Sequence, residues 1–322
     1  MFSHHRKDSL KLPQMEKKFL CLKSYFQKCQ KVLILLHLEP DGDTISSALA
    51  LFTYLKRQGK HCDCAVNGEV PEIFHFLPGS NEIKKDFLLG DYDLIIAVDC
   101  GDAKRTGFPT RLEQICHKRP LINIDHHFKN NLHKIASVNI INEKASATCE
   151  IVFDLLNYLE AKIDKRIATY ILAGIYYDTG GFQHSNVTGK TLKIASECLR
   201  LGARINLISQ HINGSKSSGA LRLWGIALKK MKIKKNGIVY STISQADLAI
   251  ARANAEDASG IVNLINTVPK SRLAILFLEN PDGTMRASLR TETEGVDVSR
   301  LARIFGGGGH KKAAGFTVGR QV

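Results

Sequence analysis

The chain predicts an α/β fold: a doubly wound, mostly parallel sheet followed by a second, smaller α/β domain. Short apolar runs at residues 32–36, 94–98 and 121–124 alternate with helical patterns, the order that builds a parallel sheet with helices on both faces. Each run leads into an acid or a histidine, namely His37, Asp99 and Asp125. Ligands of such sheets bind beyond the carboxyl ends of the strands. A length of 322 residues allows two domains. Hydrophobic residues at 44% and charged residues at 24% supply a sizeable core and exclude long disorder.

Taken in order, residues 32–36 read as a buried strand, stopped by the turn signal Pro40-Asp41-Gly42. Residues 44–58 read as a helix, because Ile45, Ala48, Leu49, Phe52 and Leu55 share one face. Asp43 can cap its start and Gly59 its end. Residues 94–98 and 121–124 are the next strands, and helices follow over about 147–159 and 166–177. The second of these ends at Asp178-Thr179-Gly180-Gly181. Helical patterns run on to about residue 202, and the polar stretch 213–219 reads as a linker or hinge. Strands at 237–243, 272–278 and 285–289, with helices from about 259 and 298, form the second unit. The expected organisation is a tail over 1–25, a catalytic domain over 26–190, a helical linker over 191–225 and a substrate-binding domain over 226–322. Residues 1–18 are polar and basic with no apolar stretch of a signal peptide, so they read as a frayed tail or an over-long start, with Met15 the alternative start.

Lys plus Arg number 45 against 31 Asp plus Glu, a net charge of +14. That excess suits anionic partners such as nucleic acid, nucleotides or acidic lipid. A solvated basic surface is the plain alternative, since the lysines are scattered. The eight cysteines lack C-x-x-C spacing, which argues against a zinc ribbon and for a reducing cytoplasm. No apolar run approaches the ~20 residues of a membrane span.

Four clusters carry chemistry. His37, Asp41 and Asp43 lie on the first strand-to-helix loop. One imidazole and two carboxylates there suit a divalent ion, although Asp-Gly-Asp is also ordinary turn and cap chemistry. Asp99 ends a buried strand, where a carboxylate needs a partner. Asp125, His126 and His127 follow the third strand, so one histidine can bind metal while the other meets substrate. Asp178 sits at a helix C-terminus, where the helix dipole disfavours negative charge and a cation would offset it. Five aspartates and three histidines are too many for one ion. A two-metal centre with a bridging carboxylate fits, and two such ions clamp a phosphoryl displacement and acidify a shared water. Mixed carboxylate and imidazole donors favour Mn²⁺, with Mg²⁺, Co²⁺ or Fe²⁺ compatible. In the second unit, glycines 306–309 before His310 and two lysines suit close backbone approach to an anion, or simply form a spacer. Arg286 and Arg290 share one side of a strand, where guanidinium forks suit phosphate.

His37-Leu38-Glu39-Pro40-Asp41-Gly42-Asp43, Val98-Asp99-Cys100-Gly101-Asp102, Asp125-His126-His127, Asp178-Thr179-Gly180-Gly181-Phe182 and the terminal GGGGHKKAAGF at 306–316 together resemble the DHH/DHHA1 phosphoesterases. Within them the chain is most similar to the stand-alone nanoRNase and pAp-phosphatase group, related to RecJ-type exonucleases. The resemblance implies a DHH domain, a DHHA1 domain and an active site in the cleft between them. It implies one Mn²⁺ on His37, Asp41 and Asp99, and another on Asp43, Asp99, His126 and Asp178. His127 would face the scissile phosphate with Asp125 behind it, and Gly307, Gly308, His310 and Arg290 would bind substrate. Ser46-Ser47 and Cys100 depart from the family's usual residues without removing a ligand. The expected activity is hydrolysis of short RNA or DNA oligonucleotides to mononucleotides and dephosphorylation of 3′-phosphoadenosine 5′-phosphate. Alternatives are a cyclic-di-AMP or pApA phosphodiesterase, a single-strand exonuclease, and a catalytically dead nucleic-acid-binding module. Oligomeric state stays open, a homodimer being one option.

Overall fold

The computed structural model describes residues 14–127, 131–212, 214 and 216–319. They divide into two compact units with the break after Gly214. The first unit contains α1 (Gln14–Lys28), β1 (Lys31–Leu35), α2 (Gly42–Arg57), β2 (His61–Ala65), β3 (Leu94–Val98), α3 (Pro109–Ile115) and β4 (Leu121–Asp125). It continues through α4 (Leu132–Ile135), β5 (Val138–Ile141), α5 (Thr148–Tyr158), α6 (Lys165–Asp178), α7 (Gly189–Arg200) and α8 (Ile205–Ile212).

Its five strands pair in the order β2-β1-β3-β4-β5, every pair parallel. Successive residues of a strand point to opposite faces, and here both faces are covered. Val32, Ile34 and Leu36 enter one core with Leu94, Ile96 and Val98. Leu33 and Leu35 enter the other with Ile95 and Ala97. This is the doubly wound sheet expected, and it explains runs that are apolar throughout rather than alternating. Because all five strands run the same way, β1, β3 and β4 deliver their terminal residues to one edge.

The second unit contains α9 (Ser218–Lys230), β6 (Lys232–Ile233), β7 (Ile238–Ile243), α10 (Gln245–Ala251), α11 (Ile261–Asn266) and β8 (Leu273–Glu279). It ends with β9 (Met285–Arg290), α12 (Val298–Ile304), β10 (Gly308–Gly309) and β11 (Ala313–Val318). Its mixed sheet has the order β10-β11-β9-β8-β7-β6, with β7 and β8 parallel and the other neighbours antiparallel. Leu223 and Ala227 of α9 and Ile261 and Ile265 of α11 cover β7 and β8 on one face. Val298 and Ala302 of α12 cover Ala287, Leu289 and Phe316 on the other.

Three expectations about organisation are corrected. Within the stretch read as a tail, α1 is a helix whose Phe19, Leu22 and Phe26 are buried in the first unit's main core. Its mean polarity hides three apolar residues at helical spacing. The stretch read as one helical linker is divided. Ile194 of α7 and Ile208 of α8 join the first unit's core, whereas α9 belongs to the second unit. Of the expected hinge, Asn213 and Ser215 lie outside the described residues. Ser217 caps α9 by accepting from Ala220 N at 2.9 Å, and a Cβ on Gly219 would come within 2.4 Å of the Arg252 carbonyl oxygen. Those two residues therefore start a packed helix.

Candidate metal centre

His37 follows β1 and is buried. The next turn enters α2, whose cap is Asp41, accepting from Asp43 N and Thr44 N at 3.0 and 3.1 Å. Asp43 occupies the first turn of α2 and is fully buried. Thr148 N and Cys149 N, the first two amides of α5, donate to its two oxygens at 2.5 and 2.9 Å. Asp43 thus caps a helix from a distant part of the chain, where the helix dipole favours its charge. Asp99 follows β3 in the left-handed region, with φ of 60°. That conformation is costly for a residue with a Cβ, and such strain collects at functional sites. Asp125 ends β4, and Asp178 is the last residue of α6.

The structure brings His37, Asp41, Asp43, Asp99, His126, His127 and Asp178 into three overlapping groups that could hold a cation. His37 Nε2 lies 3.6 Å from Asp41 Oδ1 and 3.7 Å from Asp99 Oδ2. His126 Nε2 lies 3.1 Å from Asp178 Oδ2 and 3.5 Å from Asp99 Oδ1. Asp99 therefore turns one oxygen towards each of the two histidines. In His37 the other ring nitrogen, Nδ1, is 2.6 Å from the Leu38 carbonyl. In His126 it is 3.2 Å from the Ala145 carbonyl. A carbonyl only accepts, so both Nδ1 atoms carry the hydrogen and Nε2 is the face turned to the acids.

His127 differs. Its Nδ1 lies 2.8 Å from Asp125 Oδ1 and 3.2 Å from Asp99 Oδ1. Asp125, expected among the catalytic residues, is buried and has both oxygens occupied by protein. Oδ1 also accepts from His127 N at 2.9 Å, and Oδ2 accepts from Gly101 N. It orients the imidazole rather than facing the cluster.

The charges are mutually strained without a cation. Burial, then repulsion from Asp99 and Asp178, pushes the Asp43 carboxyl well above its usual range. Burial likewise raises Asp178, against the opposing bond to His126. Burial would depress the histidines, but neighbouring carboxylates win. The Asp178 bond carries His126 well above its ordinary value, and Asp125 and Asp99 push His127 up to about 10. Protons compete here for positions that a divalent cation would also neutralise.

Several supporting residues carried no sequence signal. The Thr148 hydroxyl donates to Asp99 Oδ1 at 3.0 Å. Gly174 on α6 lets Asp43 and Cys149 meet, since a Cβ there would lie 2.8 Å from Asp43 Oδ1 and 2.3 Å from Cys149 Sγ. Asn186 donates to the Asp178 carbonyl at 3.3 Å, relieving the end of α6.

In the second unit, Arg286 and Arg290 point to the same face of β9, opposite the buried Ala287 and Leu289. Arg290 Nε donates to Asn263 Oδ1 at 2.9 Å. The terminal glycines are a hairpin, not a spacer, with Gly308 opposite Gly315 and Gly309 opposite Ala314. A Cβ on Gly307 would lie 2.1 Å from the Gly315 carbonyl oxygen, and one on Gly309 2.5 Å from that of Ala313. Packing therefore demands glycine at both positions. Gly306 and Gly308 have open space where a Cβ would sit, and His310 is exposed at the turn.

Comparison with known families decides the relationship. The N-terminal domain of the DHH family matches residues 31–175, and the DHHA1 domain matches residues 235–321. The chain belongs to the DHH/DHHA1 phosphoesterases. Membership makes it a hydrolase of phosphoester bonds. The chain is 29% identical over 288 residues to the bifunctional oligoribonuclease and PAP phosphatase NrnA of Thermus thermophilus, covering 89% of this chain and 84% of that protein. It is 26% identical over 290 residues to the protein of the same name from Bacillus subtilis, covering 88% and 87%. Its fold matches the crystal structure of an exopolyphosphatase-related protein from Bacteroides fragilis with a TM-score of 0.87 and 26% identity, over 95% of this chain and 92% of that one. Every acid and histidine of the centre except Asp178 lies inside the DHH match, and the hairpin glycines lie inside the DHHA1 match. Among the described residues, no helix is long and apolar enough to cross a membrane.

Proposed function

We propose that this chain is a two-metal phosphoesterase, with Mn²⁺ its preferred ion. It hydrolyses short oligonucleotides to mononucleotides and removes the 3′-phosphate of 3′-phosphoadenosine 5′-phosphate. The observation that carries the reading is Asp99, with Oδ2 towards His37 and Oδ1 towards His126. One carboxylate thereby serves two groups of ligands. The relatives named oligoribonuclease and PAP phosphatase support the substrate class. On the sequence grounds given above, we place the enzyme in the cytoplasm.

The residues fit the metals. His37 Nε2 is buried without a hydrogen-bond partner, while its Nδ1 hydrogen is given to Leu38. Its lone pair then points at two carboxylates, which is repulsive unless a cation lies between. The Nδ1-to-carbonyl bond is also the usual support of a ligating histidine. His37, Asp41 and Asp99 would hold one ion, and Asp43, Asp99, His126 and Asp178 the other. Two such ions, when bound, neutralise charge on the scissile phosphate and acidify a water.

The chain's own groups do the rest. Asp125 fixes the His127 ring through Nδ1, and the imidazole so oriented is the group that holds or passes a proton at the phosphate. The α5 amides hold both Asp43 oxygens in place. Arg290, Gly308 and His310 bind the substrate's anionic end. Gly307 supports them by admitting β11 at close range.

Purified protein with Mn²⁺ is offered 5′-labelled RNA dimers, a 24-mer, 3′-phosphoadenosine 5′-phosphate and cyclic-di-AMP in parallel. Rapid release of mononucleotide from dimers and of phosphate from the bisphosphate is expected. Turnover of cyclic-di-AMP alone would replace the substrate class. Binding of RNA with no nucleotide released would mean a vestigial centre.

A further inference from the structure

Beside the acid and histidine cluster lies a pocket of about 520 Å³ that includes Asp41. This is ample for a nucleoside and typical of small-molecule sites. Its walls are Leu38, Pro40, Pro71, Ile73, Phe74 and Tyr177. Leu38 and Ile73 stay 39% and 44% exposed, in a unit whose other large side chains mostly reach a core. Apolar surface left open in a concavity next to reactive groups marks a binding site.

The walls are fixed before any ligand arrives. Phe74 meets Tyr177 edge to face, with ring centres 5.5 Å apart. A Cβ on Gly42 would lie 2.6 Å from the Tyr177 side chain, so the glycine of the first motif is what lets this ring lie on the start of α2. Gly107 does the same across the pocket. It has φ of 76°, and a Cβ there would come within 2.5 Å of Asn67 and 2.9 Å of Leu38. Asn67 Nδ2 donates to the Gly107 carbonyl at 2.9 Å, which fixes the amide and leaves its oxygen as an acceptor.

Charge then selects the occupant. The lining holds Glu39, Asp41 and Glu69 but no lysine or arginine. A phosphate would be repelled, whereas a flat uncharged ring would stack on the apolar walls. Most polar side chains of the lining are acceptors, the Asn67 oxygen and the Glu39 and Glu69 carboxylates, with the Tyr177 hydroxyl the one side-chain group there that can also donate. Glu39 is held there with φ of 51°. An acceptor rim favours a ring that carries an amino group.

We infer that this pocket is a nucleobase subsite. It takes the base next to the phosphate held at the acid and histidine cluster, and it prefers adenine, guanine or cytosine over uracil. The inference rests on the oligonucleotide reading of the same centre.

Two measurements on the full chain test it. The first is calorimetric binding of AMP, UMP and ribose 5-phosphate. The second is steady-state hydrolysis of ApA and UpU with Mn²⁺. Wild type is expected to bind AMP about tenfold more tightly than ribose 5-phosphate, the effect of one well-made polar contact together with stacking. It is also expected to show a lower KM for ApA than for UpU. Asn67→Ala and Ile73→Ser, both at exposed positions, should bring the AMP to ribose 5-phosphate ratio towards one. Asn67→Asp, which keeps an acceptor, should retain the preference for ApA. Equal binding of AMP and ribose 5-phosphate by wild type overturns the subsite, as do ratios left unchanged in both Asn67→Ala and Ile73→Ser. If wild type hydrolyses no dinucleotide, the oligonucleotide reading fails instead, and the binding measurement still decides the pocket.

Discussion

At the scale of single residues, the centre is defined by which atom each side chain turns inward. Asp99 offers an oxygen to each histidine-bearing group, so its removal strips both. Asp99→Ala is expected to lower kcat/KM at least about a thousandfold, roughly 4 kcal/mol of lost transition-state stabilisation. A folded variant with near-normal Mn²⁺-dependent turnover would refute the shared-ligand assignment. The paired histidines should behave differently although they are neighbours. His126 has its Nδ1 on a backbone carbonyl and its Nε2 on two acids, the posture of a ligand. His127 has its Nδ1 on Asp125, the posture of an oriented acid or base. His126→Ala should therefore lose metal. His127→Ala should keep it and lose about 10²–10⁴ in kcat. Metal content by mass spectrometry alongside kcat separates the two, and loss of metal in His127→Ala alone would reverse the roles. Cys100, one of the departures from the family pattern, is buried with its thiol near the Leu35 and Val98 carbonyls, at 3.8 and 3.2 Å. Burial raises its pKa well above the usual thiol value, so it is packing rather than chemistry.

At the scale of elements, the centre depends on α5 and α6 meeting the start of α2. Gly174 is the contact that permits it. In Gly174→Ala the new methyl must displace either Cys149 or the Asp43 carboxylate, because it would lie 2.3 Å from one and 2.8 Å from the other. A stability loss of about 1–3 kcal/mol follows from overpacking, with a larger loss of activity if Asp43 moves. Adding Cys149→Ala removes the nearer clash and should restore part of both. A double-mutant cycle in denaturant melts would expose the coupling, and strictly additive effects would place the strain elsewhere. The same element scale shows what was legible beforehand. β1, β3 and β4 were visible because strands buried on both faces are apolar at every position. β2 (HCDCA) and β5 (VNII) were not, since edge strands of this sheet tolerate polar residues. Every acid and histidine gathered at the centre could be named from its motif, because each lies just after a strand, at the start of a helix or at the end of one. Thr148, Gly174 and Asn67 could not, since their roles exist only once distant segments touch. The glycine run before His310 is legible in the sequence, but its pairing is not. Gly307 and Gly309 serve the β10–β11 pairing, a contact that spacing alone does not announce.

At the scale of the whole molecule, the question is how a net charge of +14 bears on substrate length. Part of the basic surface has structural work. In the lysine-rich run around β6, Lys230 pairs with Asp247, and Lys234 lies over the Tyr240 ring at 5.8 Å. Lysines on an edge strand also deter pairing with other chains. A long strand would need a continuous basic groove with aromatic platforms, but aromatics are 7% of the chain with a single tryptophan. Salt dependence converts this into a measurement. Each phosphate neutralised on a single strand contributes a slope of about −0.7 in log affinity against log salt. A dinucleotide with one phosphodiester should then weaken only about threefold between 50 and 200 mM salt. A strand engaging about six phosphates would weaken a few hundredfold over the same range. If the chain works on short oligonucleotides, kcat/KM for a dimer should exceed that for a 24-mer at every salt concentration, and the dimer value should change by only that small factor. A 24-mer preferred at low salt, with a slope near −4, would mean that extended backbone contacts dominate. The scattered charge would then have to be a track for long strands.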